Sequence, residues 1–203
     1  MEQMGFDHSA RRVSPLRTET GKQLVPTAQN ARDYRKALGL FATGVTVITA
    51  AGSQGPIGMT ANSFSSVSLD PALVLWSLAK SSGRFQPFAE AKHYSIHVLC
   101  DDQEDVALQF ASEANTFTDG HWHFDSNKVP CFEEALVRFD CERHAVHDGG
   151  DHIIIVGKVL NVSQRAGDPL VFAKGAFVQF RFSTEVGMLM EICPKNMSRN
   201  AKT

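Results

Sequence analysis

Thr60, Asn62, Ser63, Ser65, Ser66 and Ser68 crowd small hydroxyl and amide side chains into one short stretch. Side chains of this size let a backbone come close to a flat ligand and set donors and acceptors at its rim. Directly afterwards, Ala72 to Ala79 is an apolar run with the length of a buried strand. It empties into Lys80-Ser81-Ser82-Gly83-Arg84, which reads as a helix start. A Ser cap, unsatisfied backbone N–H groups and two cations would together make a seat for a phosphate. A planar pocket with a polar edge and a phosphate seat suits a flavin mononucleotide. The plain alternative is a solvated loop followed by an ordinary helix cap.

A second constellation is Gly150-Asp151-His152, which follows the Gly-Gly turn of Asp148-Gly149-Gly150-Asp151. Taken alone it places a carboxylate and an imidazole at a hairpin mouth, a common surface arrangement. The histidines also raise a metal hypothesis, through His121 and His123, His93 and His97, and His144 and His147 with Cys141. None of these sets completes a zinc-type spacing, so no metal site is assigned. Cys100, Cys131, Cys141 and Cys193 lie too far apart for a Cys-x-x-Cys motif. Cys100 closes an apolar run and reads as a reduced core residue. No Gly-x-Gly-x-x-Gly occurs, so nothing supports a dinucleotide-binding Rossmann unit.

These residues need a frame. Residues 33–40 carry a helical pattern, with Tyr34, Ala37, Leu38 and Phe41 on one face. Residues 44–50 are β-branched and alternating; a turn at 52–55 sends 56–62 back as the second arm of a hairpin. After Asp70-Pro71, residues 73–78 make the expected central strand. Residues 83–92 read as a short helix with Phe85, Phe88 and Ala89 inward, and 94–99 as another strand. Asp101 to Asp105 is an acidic helix start that continues to Ala111. Residues 112–135 suggest a long loop held down by Phe117, Trp122, Phe124 and Phe132. Two long strands follow, 136–146 and 153–162, closed by the Gly-Gly turn. Residues 170–172 and 177–182 finish the sheet, and Val186 to Ile192 are expected to cap it. Many strands, tight turns and few short helices favour an antiparallel barrel over a βαβ layout.

The length, 203 residues, accommodates one domain with a substantial core. The expected division is an N-terminal arm over 1–29, a folded domain over 30–182 and a tail over 183–203. A formal net charge of −2 speaks against a nucleic-acid-binding surface. No apolar run approaches the roughly 18 residues that span a bilayer. The N-terminus has no signal-peptide pattern, so a cytoplasmic location is expected.

The run from Gly58 to Pro71, Gly-Met-Thr-Ala-Asn-Ser-Phe-Ser-Ser-Val-Ser-Leu-Asp-Pro, resembles the flavin-contacting segment of short-chain flavin reductases. These are the reductase components of two-component flavin monooxygenases. The likeness extends from about Tyr34 to Phe180. It implies a mainly β split antiparallel barrel with a few short flanking helices, a homodimer, and reduction of FMN or FAD by NADH or NADPH. It further implies a separate oxygenase that receives reduced flavin by diffusion.

Residue by residue, the resemblance sets Thr60 and Ala61 against the flavin ring or its ribityl chain. It sets Asn62, Ser63, Ser65 and Ser66 along the isoalloxazine edge, where a donor near N1 and C2=O stabilises negative charge. Lys80, Ser81, Ser82 and Arg84 would hold the phosphate, with the two serines preferred. Gly150, Asp151 and His152 resemble the family's nicotinamide-nucleotide motif. His152 would position the nicotinamide; hydride passes directly from nicotinamide C4 to flavin N5, so no general base is needed. Phe172, Lys174, Gly175 and Phe177 match a C-terminal segment where the family places an aromatic near the flavin. Two other readings share the fold: a non-enzymatic flavin electron carrier or sensor, and an oxidase acting on an amine such as pyridoxamine phosphate.

Overall fold

Period-two alternation and β-branched residues put most of this chain into strands. The computed structural model describes residues 23–113, 115, 117, 120–179 and 193–194. The 13 strands are β1 (Thr43–Gly44), β2 (Thr46–Gly52), β3 (Gly55–Ala61), β4 (Ser65–Leu69), β5 (Ala72–Ala79), β6 (His93–Val98), β7 (Trp122–Phe124), β8 (Pro130–Phe132), β9 (Val137–Gly149), β10 (His152–Gln164), β11 (Val171–Ala173), β12 (Ala176–Gln179) and β13 (Cys193–Pro194). The helices are α1 (Ala31–Leu38), α2 (Phe85–Glu90) and α3 (Glu104–Ser112). Residues Val186 to Ile192, expected as a cap, and the arm before residue 23 lie outside the described residues.

All strand pairs are antiparallel. The main sheet has seven strands in the order β3-β2-β6-β9-β10-β5-β4; a second has four, β1-β11-β12-β13; β7 and β8 form a ribbon. The two larger sheets meet at Val45, between β1 and β2. Its N–H donates to Leu170 O and its carbonyl accepts from Leu99 N–H, while Leu170 N–H donates to Leu99 O. This mainly β, split-barrel arrangement agrees with the expected fold class. The core on one side of the main sheet gathers Ile48, Trp76, Leu78, Phe88, Tyr94, Ile96 and Ile155. A second cluster holds Val47, Leu99, Phe110, Phe132 and Leu170.

Two glycines make this packing possible. A Cβ at Gly58 would lie 2.5 Å from Cε1 of Phe110, so glycine lets α3 rest on β3. A Cβ at Gly157 would overlap the hydroxyl of the buried Tyr94.

Several expectations need correction. β5 is not central: it lies sixth of seven, with only β4 outside it. The reason is that the run after the Asp70-Pro71 turn folds back on β4, an edge strand on which Val67 and Leu69 are exposed. The predicted helix face of Tyr34, Leu38 and Phe41 is not buried. None of α1's residues is buried, and its Ala37 and Leu38 instead border a cavity. The aromatics of the 112–135 segment do tie it down, except for Phe124, which is exposed. Trp122 stacks on Phe132 with centroids 4.9 Å apart and meets Phe110 and Phe117 edge-on. His97 pins the same ribbon from below. It is fully buried, its Nδ1 lies 3.0 Å from Val47 O, and its Nε2 accepts from Phe132 N–H at 3.1 Å. Among the described residues, no helix is long and apolar enough to cross a membrane.

Candidate functional site

Three segments converge where β5 ends. The loop after β3 is anchored by Ser63, whose Oγ accepts from Ser77 N–H at 2.9 Å and donates to Ser77 O at 3.2 Å. This double bond to the backbone of β5 holds the loop against the strand two residues before its end. Ser77 is paired with Ile154 of β10, and Ala79 with His152. The register therefore lays the end of β5 beside the mouth of the β9–β10 hairpin. The Gly-Gly turn can close there because Gly150 takes a φ of +80°, a conformation costly for a residue with a Cβ.

The segment after β5 is a turn and not the capped helix start that was expected. Ser82 N–H donates to Ala79 O, and Phe85 N–H to Ser82 O. The hydroxyl of Ser82 accepts from Arg84 N–H at 3.1 Å. Helix α2 begins only at Phe85, with Arg84 at its cap position and no capping side chain. The tight turn has drawn in the N–H groups that a helix would have left open. Among the described residues, the N–H groups of Ser81 and Gly83 and the Ser81 hydroxyl stay uncommitted. They remain as directed donors for an anion.

The two expected phosphate cations are already engaged. Arg84 reaches across to α3, where its Nη1 donates to Phe110 O at 2.6 Å. The Lys80 ammonium pairs with the Asp148 carboxylate across the hairpin mouth. Its backbone N–H donates to Asp151 O at 2.9 Å. Beside it, His152 Nδ1 lies 2.7 Å from Asp151 Oδ1. Since an ionised carboxylate only accepts, Nδ1 carries the proton, which leaves Nε2 as the acceptor in the neutral ring. The hydrogen bond and charge of His152 hold the Asp151 carboxyl below the usual range; the hydrogen bond from Lys80 does the same for Asp148. Both carboxylates are exposed.

The polar loop splits its tasks. Thr60 Oγ1 donates to Ala107 O at 2.6 Å, and Ala61 packs against the main core while its carbonyl accepts from Thr46 Oγ1. Both positions are held in β3, which is paired with β2 along its full length. Ser65 and Ser66 lie exposed on the edge strand β4; Ser65 Oγ bonds only to Ser66 O, at 3.3 Å. Asn62 is exposed and lines a cavity of about 1230 Å³ between α1 and the β11–β12 turn. Phe172, Lys174 and Gly175 line the same cavity, so the C-terminal segment is brought to Asn62. Phe172 and Phe177 meet edge-on, with centroids 5.4 Å apart.

Sequence reasoning passed over Asp148, Thr43 and the cationic side chains of α1. Asp148 was visible as a charge beside the turn. Thr43 carried no signal, yet among the described residues its buried Oγ1 has no hydrogen-bond partner, and the residue lines the cavity. A phosphorylated, flat ligand fits this donor set. Uncommitted hydroxyl and N–H donors lie at the 80–83 turn, and an exposed amide and an unpaired buried hydroxyl border the cavity. Of the histidines raised as metal candidates, His121 and His123 lie beside Glu134 and Glu133, and His97 is hydrogen-bonded through both nitrogens.

Residues 38–181 match the family model described as the flavin reductase like domain. The chain is similar to the FMN reductase (NADH) SmoA of Agrobacterium fabrum, at 54% identity over 83% of this chain and 97% of that protein. It is 41% identical to the reductase component of the flavin-dependent trigonelline monooxygenase of Acinetobacter baylyi, over 79% of this chain. The match spans about half of that relative, 53% of its length. Among solved structures, the Streptomyces globisporus C-1027 NADH:FAD oxidoreductase SgcE6, in complex with NAD and FAD fragments, superposes with a TM-score of 0.69. The two are 33% identical, over 82% of this chain and 100% of that one.

Proposed function

The chain belongs to the flavin reductase like family, and from that premise we propose how its residues divide the work of an NADH-dependent reduction of FMN or FAD. One observation carries the reading. The turn at 80–83, with its uncommitted donors, is hydrogen-bonded to the mouth of the hairpin that bears Asp151 and His152. A phosphate seat and a nicotinamide-positioning imidazole thus lie on neighbouring strands.

When bound, the flavin supplies the acceptor for a hydride from the nicotinamide. The protein supplies position. Ser81, with its N–H and that of Gly83, holds the flavin phosphate, and Lys80 contributes charge. Asn62 faces the ring edge, and Ser63 keeps its loop on β5. Gly150 lets the hairpin turn close, Asp151 fixes the His152 tautomer, and the ring of His152 orients the nicotinamide. No side chain needs to take a proton, so His152 is a positioning residue. Thr60 and Ala61 support the flavin loop from behind, Ser65 and Ser66 edge it on β4, and Ser82 and Arg84 act through the backbone they hold.

By the same reading the chain is a two-component reductase that hands reduced flavin by diffusion to a separate oxygenase. It works as a homodimer; exposed Leu69 on β4 and Val146, Leu160 and Val162 on the long hairpin supply apolar surface for a partner copy. We place it in the cytoplasm, a reducing setting that suits the free, buried Cys100, Cys131 and Cys141. The folded domain is taken as 30–182, with an arm before it and a tail after.

The test is steady-state NADH oxidation by purified protein with FMN and FAD titrated separately, for wild type and His152→Ala. Flavin-dependent turnover that falls sharply in the variant, mainly through KM for NADH, is expected. Undiminished turnover would remove the nicotinamide from the hairpin mouth. Background turnover with retained yellow flavin would favour an electron carrier or sensor.

A further inference from the structure

The turn between β11 and β12 breaks a local rule. Lys174 and Gly175 join Ala173 to its cross-strand partner Ala176, and both take a positive φ, +54° and +82°. Two-residue turns with two positive φ angles favour Asn-Gly, because asparagine and glycine enter the left-handed region more readily than other residues. Gly175 fits that preference; Lys174 occupies its place at a conformational cost. The backbone gives no reason for lysine there. Lys174 N–H donates to Gly39 O at 2.7 Å and ties the turn to the end of α1, a bond that asparagine or glycine would make equally well. What lysine adds is its side chain.

That side chain lines the cavity that Asn62 also lines, and no carboxylate is among the lining residues. Lys174 is exposed, and among the described residues its ammonium enters no hydrogen bond or ion pair. Arg32, Arg35 and Lys36 border the cavity too, but they stand on the exposed helix α1, where cations cost nothing in conformation. Charge decides what an ammonium does beside Asn62. Hydride transfer carries two electrons and one proton from nicotinamide C4 to flavin N5. The nicotinamide becomes a cation, and the ring gains one negative charge, spread over N1 and C2=O. A cation at that edge stabilises the product of the step and does little for the uncharged oxidised ring. Resting on the flavin reductase reading above, we propose that the Lys174 ammonium faces the N1–C2=O edge of the flavin beside Asn62 and favours the reduced over the oxidised form. The role concerns the ring alone and leaves the phosphate at the 80–83 turn.

The test is anaerobic equilibrium titration of oxidised and reduced FMN against wild type, Lys174→Asn and Lys174→Arg, with a thermal melt of each. Asparagine suits the turn, so the Lys174→Asn melt should match or exceed that of wild type. Reduced FMN is expected to bind this variant about fivefold more weakly, the upper range of an exposed ion pair, with oxidised FMN unchanged and Lys174→Arg close to wild type. The pH at which bound reduced FMN takes up its N1 proton should rise in Lys174→Asn, since the cation that favours the anion is gone. The proposal is overturned if reduced FMN binds Lys174→Asn as tightly as wild type, or if both forms weaken equally. A melt well below wild type would overturn it as well, because lysine would then serve the fold. A failure of the reductase reading would look different: no FMN binding or NADH turnover in wild type.

Discussion

The N–H of Lys80 donates to the carbonyl oxygen of Asp151 at 2.9 Å, which joins the turn after β5 to the mouth of the long hairpin as one unit. The Lys80 ammonium makes a second link, to Asp148. A ligand phosphate at the turn competes with Asp148 for that ammonium. Asp148→Asn is therefore expected to tighten FMN binding about two- to fivefold, the range of an exposed ion pair. Riboflavin, which lacks the phosphate, should be unaffected, and the gain should vanish in a Lys80→Ala background. Fluorescence titration decides; an equal change for riboflavin would contradict the competition.

Ser63 and Ser65 look alike in sequence and differ in the fold. Ser63 bonds both backbone groups of Ser77, whereas Ser65 bonds only its neighbour's carbonyl. Ser63→Ala should cost about 1 kcal/mol in urea unfolding and raise KM for flavin. Ser65→Ala should leave stability within about 0.5 kcal/mol of wild type.

Gly157→Ala pushes a methyl group into the hydroxyl end of the Tyr94 ring, which is buried and packs edge-on to Trp76 at 6.0 Å. Overpacking of this kind costs about 1–3 kcal/mol. The Tyr94→Phe double variant should recover part of the loss, because the overlapping hydroxyl is gone. Denaturant midpoints of the single and double variants test this, and an additive pair would refute it.

His97 makes stability depend on pH. Burial is the main cause that pushes its pKa down from 6.5 to about 4, against the helpful bond to Val47 O; Arg138, Asp140 and His123 are the charged neighbours. The unfolded chain then takes up the proton first, so stability is full above about pH 6.5 and falls as pH drops toward 4. The expected loss is on the order of 3 kcal/mol. A His97→Gln variant should be less stable at pH 7 and flatter over this window. Parallel pH profiles for the two proteins would rule His97 out.

Local signals carried most of the strands. The turn at 52–55, the Gly-Gly hairpin and the alternation of β2 and β6 are each dictated by neighbours in sequence. What failed was non-local. An apolar run such as 72–79 looks the same second from the edge as in the middle, because period and length do not encode strand order. The helix expected from Ser81-Ser82 was shortened by hydrogen bonds to Ala79 and Ser82 that only the turn makes possible. Arg84 and Lys80 read as free cations because their partners, Phe110 and Asp148, lie far along the chain. The amphipathic pattern of α1 was real, but its inner side borders a cavity and not a core.

The register of the β9–β10 hairpin has a kinetic consequence. Among the described residues it pairs the most residues of any two strands, although two bulges interrupt it, and it is local, while both of its outer neighbours, β5 and β6, come from much earlier in sequence. Loop-closure entropy makes those distant pairings slow, so the hairpin is the natural template on which the rest of the main sheet assembles. Gly150 sits at its tip, between Asp148 and His152. A substitution there that resists positive φ would delay folding of the whole sheet, so a loss of activity at this position has to be separated from a loss of refolding rate.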